Sequence, residues 1–159
     1  MPGARNVLIE AARIARGKIK PLSEYKASDF DALIFPGGFG VAKNLCTFAF
    51  DGINCKVNSD VEKAIRTTVV AEKPIGALCI SPVLLAKILV DVEVTIGNDS
   101  GTAGAIESFG ATHIKTTHGE IVVDEKYKLV TTPCYMLNAT IDQIADGSDN
   151  LVRKILELA

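Results

Sequence analysis

Short apolar runs alternate with amphipathic segments along most of the chain. Residues 32–35 and 74–78 are continuous apolar runs, which predict buried strands, and residues 92–96 predict a third strand. Segment 5–16 carries apolar side chains at helical spacing and ends before a glycine, which predicts a helix, and a second helix is predicted at 83–89. The remaining predicted elements are a helix at 41–50, a helix capped by Ser59, helices at 102–109 and 136–145, a strand at 112–116, and a last helix capped by Ser148.

Alternation of apolar strands with helices predicts an α/β fold, with a parallel sheet covered by helices on both faces. The two apolar runs 121–123 and 128–131 flank a polar turn and predict a hairpin. Ligands of such folds bind beyond the carboxyl ends of the strands. Loop 36–40, Cys79 and segment 132–135 each follow a predicted strand. We therefore expect these three to converge at one edge of the sheet.

Length, composition and charge are those of one globular domain. The chain has 159 residues, of which 48% are apolar and 23% charged, and its net charge is -2. No cluster of basic residues predicts a nucleic-acid partner, and no apolar run approaches the ~20 residues that span a bilayer. The first residues resemble neither a signal peptide nor a transit peptide. We expect a cytoplasmic protein, with the mitochondrial matrix as the alternative.

Four cysteines lie far apart in the sequence and form no CxxC pair, and the two histidines complete no zinc-finger spacing. A domain of this size needs no disulfide framework, so we expect reduced thiols. The sequence leaves a disulfide between Cys46 and Cys55 open.

Cys79 is the first candidate for chemistry because it stands between a predicted strand and a predicted helix. A nucleophile at such a point is held on a tight turn with its reactive atom exposed above the sheet. The amino end of the following helix favours the thiolate, which is the nucleophilic form. Gly76 and Ala77 are small, as a crowded turn requires. The alternative is a buried cysteine that packs as a small apolar side chain.

The glycine-rich loop Gly37-Gly38-Phe39-Gly40 is the second candidate. Its backbone N–H groups are suited to binding an anion, as in an oxyanion hole. The loop matches neither the GxGxxG fingerprint nor a Walker loop, so it does not predict nucleotide binding. The alternative is a tight turn that needs glycine for positive φ angles.

Segments 33–45 (LIFPGGFGVAKNL) and 77–82 (ALCISP) resemble the PfpI-type superfamily, which has the class I glutamine amidotransferase-like fold. The chain more closely resembles the ElbB family, the "enhancing lycopene biosynthesis" proteins, which are also described as glyoxalase-like. The resemblance covers essentially the whole chain from Arg5 onward. Its further supporting stretches are 5–14, 73–76, 94–97, 122–125 and 130–133.

This resemblance implies a flavodoxin-like three-layer sandwich with a mostly parallel sheet. It implies that Cys79 is the nucleophile, that Gly37 and Gly38 supply oxyanion donors, and that Ile80 and Asn44 belong to the binding site. The implied reaction converts a small dicarbonyl such as glyoxal into a hydroxy acid such as glycolate through a hemithioacetal. It requires no metal or organic cofactor. A homodimer is also implied.

The chain departs from the family pattern in three places. Family chains begin one strand and one helix earlier, so we expect this chain to lack that first unit and the acidic partner that its loop carries. Relatives with a Cys-His pair place His after the strand that follows the elbow helix, where this chain has Gly97-Asn98-Asp99. Cys134 stands where Ala is the family's usual residue.

Glu10 is the first candidate for the group that assists Cys79. It lies four residues after Asn6 on an amphipathic helix, and a carboxyl group there can hydrogen-bond the thiolate or shuttle its proton. The alternative is an ordinary solvated charge. Asp99 is expected to be a turn residue, and His113 and His118 have no further metal ligand at useful spacing.

Three functions remain open at the level of sequence. The first is a glyoxalase-like lyase or hydrolase that acts on small carbonyl substrates through Cys79. The second is a non-catalytic redox or stress sensor in which Cys79 cycles to sulfenic acid. The third is an accessory role in isoprenoid biosynthesis, which only the family name suggests. A glutamine amidotransferase subunit is not expected, because 132–135 lacks the His and Glu that such enzymes carry.

Overall fold

The structure is a computed structural model that describes residues 5–159. Its main sheet has four strands in the order β1-β2-β6-β5. β1, β2 and β6 are mutually parallel, and β5 runs antiparallel to β6, which confirms the predicted hairpin. A second sheet consists of the parallel pair β3 and β4. The strands are β1 (Leu33–Phe35), β2 (Ile75–Leu78), β3 (Glu93–Val94), β4 (Thr112–His113), β5 (Val122–Asp124) and β6 (Leu129–Thr132).

Six α-helices connect or flank these strands in the described residues. No helix among them is long and apolar enough to span a membrane. The helices are α1 (Val7–Ile14), α2 (Phe48–Asp51), α3 (Ser59–Val70), α4 (Pro82–Ile88), α5 (Ser100–Ser108) and α6 (Ile141–Leu158).

The main sheet is the middle of three layers. Successive side chains of a strand point to opposite faces, so each strand contributes to the core on both sides of the sheet. Ile75 and Ala77 of β2 lie in the core that α3 and α4 cover, whereas Leu78 lies in a smaller core with Leu151 of α6. A Cβ atom on Gly76 would lie 2.9 Å from Leu151 Cδ2, so glycine lets α6 approach the sheet closely. The predicted α/β sandwich with a mostly parallel sheet is confirmed.

The second sheet joins the first through side chains. The backbone N–H of Glu93 donates to Asp124 Oδ2 at 2.8 Å, and that of Thr95 donates to Thr131 Oγ1 at 2.9 Å. These side-chain oxygens take the place that backbone carbonyls would have in a continuous ladder. The strands predicted at 92–96 and 112–116 are therefore each only two residues long.

Two helix boundaries differ from the prediction because side chains decide them. Asn58, not Ser59, caps α3, since its Oδ1 accepts from the backbone N–H of Asp60 at 2.9 Å. The tail forms one helix instead of two, with a capping box at Thr140, and the predicted cap Ser148 lies inside it.

The helix predicted at 41–50 is broken. Residues 41–45 form a single π-helical turn, which ends where the backbone N–H of Cys46 donates to Val41 O at 3.1 Å. Cys46 then bridges Val57, and α2 begins at Phe48. The five-residue spacing of that hydrogen bond widens the turn that follows the glycine loop.

The apolar side of α1 is not covered by the rest of the described chain. None of its residues is buried, and Ile14 is 91% exposed. β1 likewise pairs only with β2 in the described part of the chain, and Ile34 on it is exposed. That this chain lacks the family's first strand and helix stays a prediction.

Candidate active site

Cys79 lies on a sharp turn directly after β2. Its φ angle is +60°, a left-handed conformation that is uncommon for residues other than glycine and that clusters at functional sites. The Cys79 N–H donates to Thr132 O, and the Ser81 N–H donates to Leu78 O, both at 3.0 Å. These two bonds fix the elbow, and the Cys79 side chain is partly exposed at its tip.

The glycine loop packs against this elbow. Gly37 has a φ angle of +98°, and a Cβ atom there would lie 2.8 Å from both Cys79 Cβ and Leu78 O. Only glycine fits this contact. Gly38 has a φ angle of +88° and faces open space. The loop and the cysteine are thus neighbours, as the sequence predicted.

The backbone around the elbow leaves donors free. In residues 5–159, the N–H groups of Gly38 and Ile80 donate no hydrogen bond to another protein group. The Ile80 side chain is partly buried against the core, which anchors this residue of the turn. Free N–H groups next to a nucleophile are the donors that an oxyanion hole requires.

Cys134 adjoins Cys79 from the neighbouring strand. It follows β6 in a second left-handed turn, with φ of +45°, and its Sγ lies 4.0 Å from Ser148 Oγ. Burial raises the pKa of the Cys134 thiol, hydrogen bonds from Ser148 and from the Cys79 backbone oppose that rise, and negative charge on Cys79 adds to it. The three loops expected at one sheet edge therefore do converge there.

Ser81 precedes α4 but does not cap it with its side chain. The residue occupies the N-cap position but makes no side-chain capping bond. Its hydroxyl is buried two residues after Cys79 and has no hydrogen-bond partner within the described chain. The bond of its backbone N–H to Leu78 holds the turn instead.

The structure pairs Glu10 with two arginines. Its carboxylate lies 2.6 Å from the Arg5 guanidinium and 3.0 Å from that of Arg13. The hydrogen bond from Arg5 lowers the pKa of Glu10, and the charges of both arginines act in the same direction. A role for Glu10 as proton shuttle stays a prediction.

Asn44 and Glu10 share a cavity that Cys79 does not line. This surface cavity has a volume of about 420 Å³ and is walled by α1 and by the segment after the glycine loop. A Cβ atom on Gly40 would lie 3.5 Å from Asn44 Nδ2, so Asn44 sits against that loop. The predicted site residues therefore fall into two groups: Cys79, Gly37, Gly38 and Ile80 lie at the elbow, whereas Asn44 and Glu10 line this separate cavity.

The other polar candidates have structural roles. Asp99 caps α5 by accepting from the Thr102 N–H at 2.8 Å, and this bond lowers its pKa, which confirms the expected turn role. His113 Nε2 accepts from the Ile96 N–H at 3.3 Å, and burial lowers its pKa. The Nδ1 atom of His118 is buried without a partner among the described groups, beside a small cavity. Within residues 5–159 no three His, Cys, Asp or Glu side chains are placed to hold a metal ion.

Two features of the site were not predicted from the sequence. These are the free hydroxyl of Ser81 and the arginines around Glu10. Only the last had a sequence signal, because Arg13 follows Glu10 at helical spacing.

Comparison with known proteins places the chain among proteins that share this elbow fold. No protein-family model matches it. The human "Glutamine amidotransferase-like class 1 domain-containing protein 3, mitochondrial" is 51% identical over 164 residues, which cover 98% of this chain and 61% of that protein. The chain thus spans less than two thirds of that curated relative.

Solved structures agree with this sequence match. An isoprenoid biosynthesis protein with an amidotransferase-like domain from Ehrlichia chaffeensis superposes with a TM-score of 0.89 at 33% identity, over 99% of this chain and 73% of that one. Glyoxalase III from Candida albicans superposes with a TM-score of 0.54 at 17% identity, over 82% of this chain and 60% of that one, which shows the shared fold alone. The chain belongs to the class 1 glutamine amidotransferase-like family.

Proposed function

We propose that this chain, as a member of the ElbB branch of its family, is a cofactor-independent enzyme that converts small dicarbonyls such as glyoxal into hydroxy acids. The observation that carries the proposal is the left-handed elbow at Cys79 with the glycine loop packed against it at Gly37. A strained, partly exposed cysteine beside free backbone donors is the arrangement that nucleophilic catalysis uses.

The proposed reaction begins when the Cys79 thiolate adds to one aldehyde carbon of the substrate. The carbonyl oxygen becomes an alkoxide, which the free N–H groups of Gly38 and Ile80 stabilise. Transfer of hydrogen from this carbon to the second carbonyl group converts the hemithioacetal into a thioester of the hydroxy acid. Water then hydrolyses the thioester, releases the hydroxy acid and returns Cys79 as the thiol.

The proposed reaction also requires a group that transfers a proton. Glu10 remains our candidate, although its pairing with Arg5 and Arg13 keeps the carboxylate charged and weakly basic. That pairing favours a second candidate function, in which Cys79 is a redox or stress sensor that needs no base. An accessory role in isoprenoid biosynthesis has only the name of the Ehrlichia chaffeensis protein to support it.

The name of the human relative assigns that protein to mitochondria. We propose for this chain a reducing compartment, either the mitochondrial matrix or the cytoplasm, because its chemistry requires a free thiol. We also propose that the functional form is a homodimer.

The test is turnover of glyoxal by the purified protein, with glycolate as the measured product. Cys79→Ser removes the nucleophile and should abolish turnover while leaving the melting temperature unchanged. Cys55→Ala is the matched control, since Cys55 is buried away from the elbow, and it should retain turnover. Glycolate formation by Cys79→Ser would refute the proposal.

A further inference from the structure

Two cysteines stand at the carboxyl ends of neighbouring parallel strands. β2 and β6 are in register at Leu78 and Thr132, and Cys79 and Cys134 follow these residues by one and two positions. The Cys79 N–H donates to Thr132 O at 3.0 Å, and Cys134 follows Thr132 by two residues, so the turns that carry the two cysteines are in direct contact. A disulfide requires such proximity of the two backbones.

The surroundings direct Cys134 toward the elbow. A Cβ atom on Gly147 would lie 2.9 Å from Thr132 Oγ1, so glycine allows α6 to press against the end of β6. That approach places Ser148 Oγ 4.0 Å from the Cys134 sulfur, and the Cys134 thiol lies close enough to Cys79 for negative charge there to raise its pKa. Both cysteines are partly exposed, so a small oxidant reaches this pair.

The remaining two cysteines provide a contrast in the same chain. Cys46 and Cys55 are each only 3% exposed, and burial raises the pKa of both thiols. Burial and a raised pKa both suppress the thiolate that reacts with peroxides. Oxidation should therefore begin at the elbow and not in this buried pair.

We propose that Cys79 and Cys134 form a reversible disulfide when a hydroperoxide oxidises Cys79. The Cys79 thiolate attacks the peroxide O–O bond and becomes a sulfenic acid, and the peroxide is reduced to water or an alcohol. The Cys134 thiol then attacks the sulfenic sulfur, an S–S bond forms, and the hydroxyl group leaves as water with the Cys134 proton. A small dithiol restores both thiols by exchange.

This disulfide would protect the elbow from irreversible oxidation and would block it reversibly. Without a second thiol nearby, a sulfenic acid proceeds with further peroxide to sulfinic acid. The inference rests on an accessible Cys79 thiol, which the proposed function also requires, but it is independent of the dicarbonyl chemistry.

The experiment treats the reduced protein with hydrogen peroxide, blocks the remaining thiols by alkylation, and identifies the linked peptides by mass spectrometry. The wild type should lose two hydrogens, yield a peptide pair containing Cys79 and Cys134, and recover both thiols with dithiothreitol. Cys134→Ala should instead gain two oxygens at Cys79. Cys55→Ala is the matched control and should form the same disulfide as the wild type.

The outcomes separate this inference from the proposed function. Sulfinic acid at Cys79 in the wild type, or a linkage confined to Cys46 and Cys55, would overturn the disulfide even if glyoxal turnover is normal. Reduced Cys134→Ala should turn over glyoxal at the wild-type rate, and the oxidised wild type should lose turnover until dithiothreitol is added. A disulfide that forms in a protein without turnover would support this inference and refute the proposed function alone.

Discussion

Replacing Gly37 by alanine tests whether the glycine loop and the cysteine elbow form one packed unit. Gly37 has a φ angle of +98°, where a side chain costs about 1–2 kcal/mol. The new Cβ atom would also lie 2.8 Å from Leu78 O and from Cys79 Cβ. Neither atom is the end of a flexible side chain, so the backbone must move, and overpacking of this kind costs about 1–3 kcal/mol. We expect Gly37→Ala to lower the free energy of unfolding by about 2–5 kcal/mol.

Gly38→Ala is the matched control, because Gly38 has a φ angle of +88° but its Cβ would meet nothing within 4 Å. It should therefore cost only the conformational part, about 1–2 kcal/mol. Urea unfolding of both variants measures the difference in their free energies of unfolding. In thermal unfolding of a chain of this size, each kcal/mol lost lowers the melting temperature by about 2–4 °C. Equal destabilisation by the two substitutions would refute the contact between loop and elbow.

Further substitutions test three other parts of the structure. His113 is held neutral by burial and by accepting from the Ile96 N–H, so its folded pKa lies below its unfolded value. The free energy of unfolding should therefore fall as pH drops through the unfolded pKa of about 6.5 toward the folded value. His113→Gln removes this titration, so the same slope of unfolding free energy against pH in the variant and in the wild type would contradict this. Asn58→Ala should lower the free energy of unfolding by about 1 kcal/mol through loss of the α3 cap, whereas Ser59→Ala should have almost no effect; equal losses would refute the cap assignment. Glu10→Gln should leave the melting temperature nearly unchanged, since the ion pairs of Glu10 are exposed. It should slow glyoxal turnover. An unchanged rate would mean that Glu10 is an ordinary solvated charge and not a proton shuttle.

The sheet edge could be predicted because its signals are local. The apolar runs at 32–35 and 74–78 are bounded by glycine and cysteine, so the positions where both strands end are visible in the sequence. The hairpin likewise follows from two apolar runs around a polar turn. Together these features place Cys79 and the glycine loop at the same edge.

Contacts between distant segments were not predictable from the sequence. The apolar side of α1 is visible in the periodicity, but periodicity does not tell what covers it, and the described chain leaves it open. The tail was predicted as two helices, but Gly147 and Ser148 lie inside α6. A Cβ atom on Gly147 would lie 2.9 Å from Thr132 Oγ1, a contact that the sequence alone does not reveal.

Cys134 shows the same dependence on tertiary structure. Its position beside Cys79 depends on the parallel register of β2 and β6, which joins residues more than fifty positions apart. The role expected for Glu10 also depended on its neighbours, because Arg5 and Arg13 engage the carboxylate. A local pattern can identify a titratable group, but the groups that surround it follow from the fold.

The central claim is that Cys79 is the reactive thiol of this fold. The most direct test is the alkylation rate of each of the four cysteines by iodoacetamide in the native protein, resolved by peptide mapping. Cys79 should be modified first, Cys134 more slowly because burial raises its pKa, and Cys46 and Cys55 only after unfolding. If Cys79 is modified no faster than the buried Cys46 and Cys55, the claim is contradicted, because the thiol at the elbow is then not reactive.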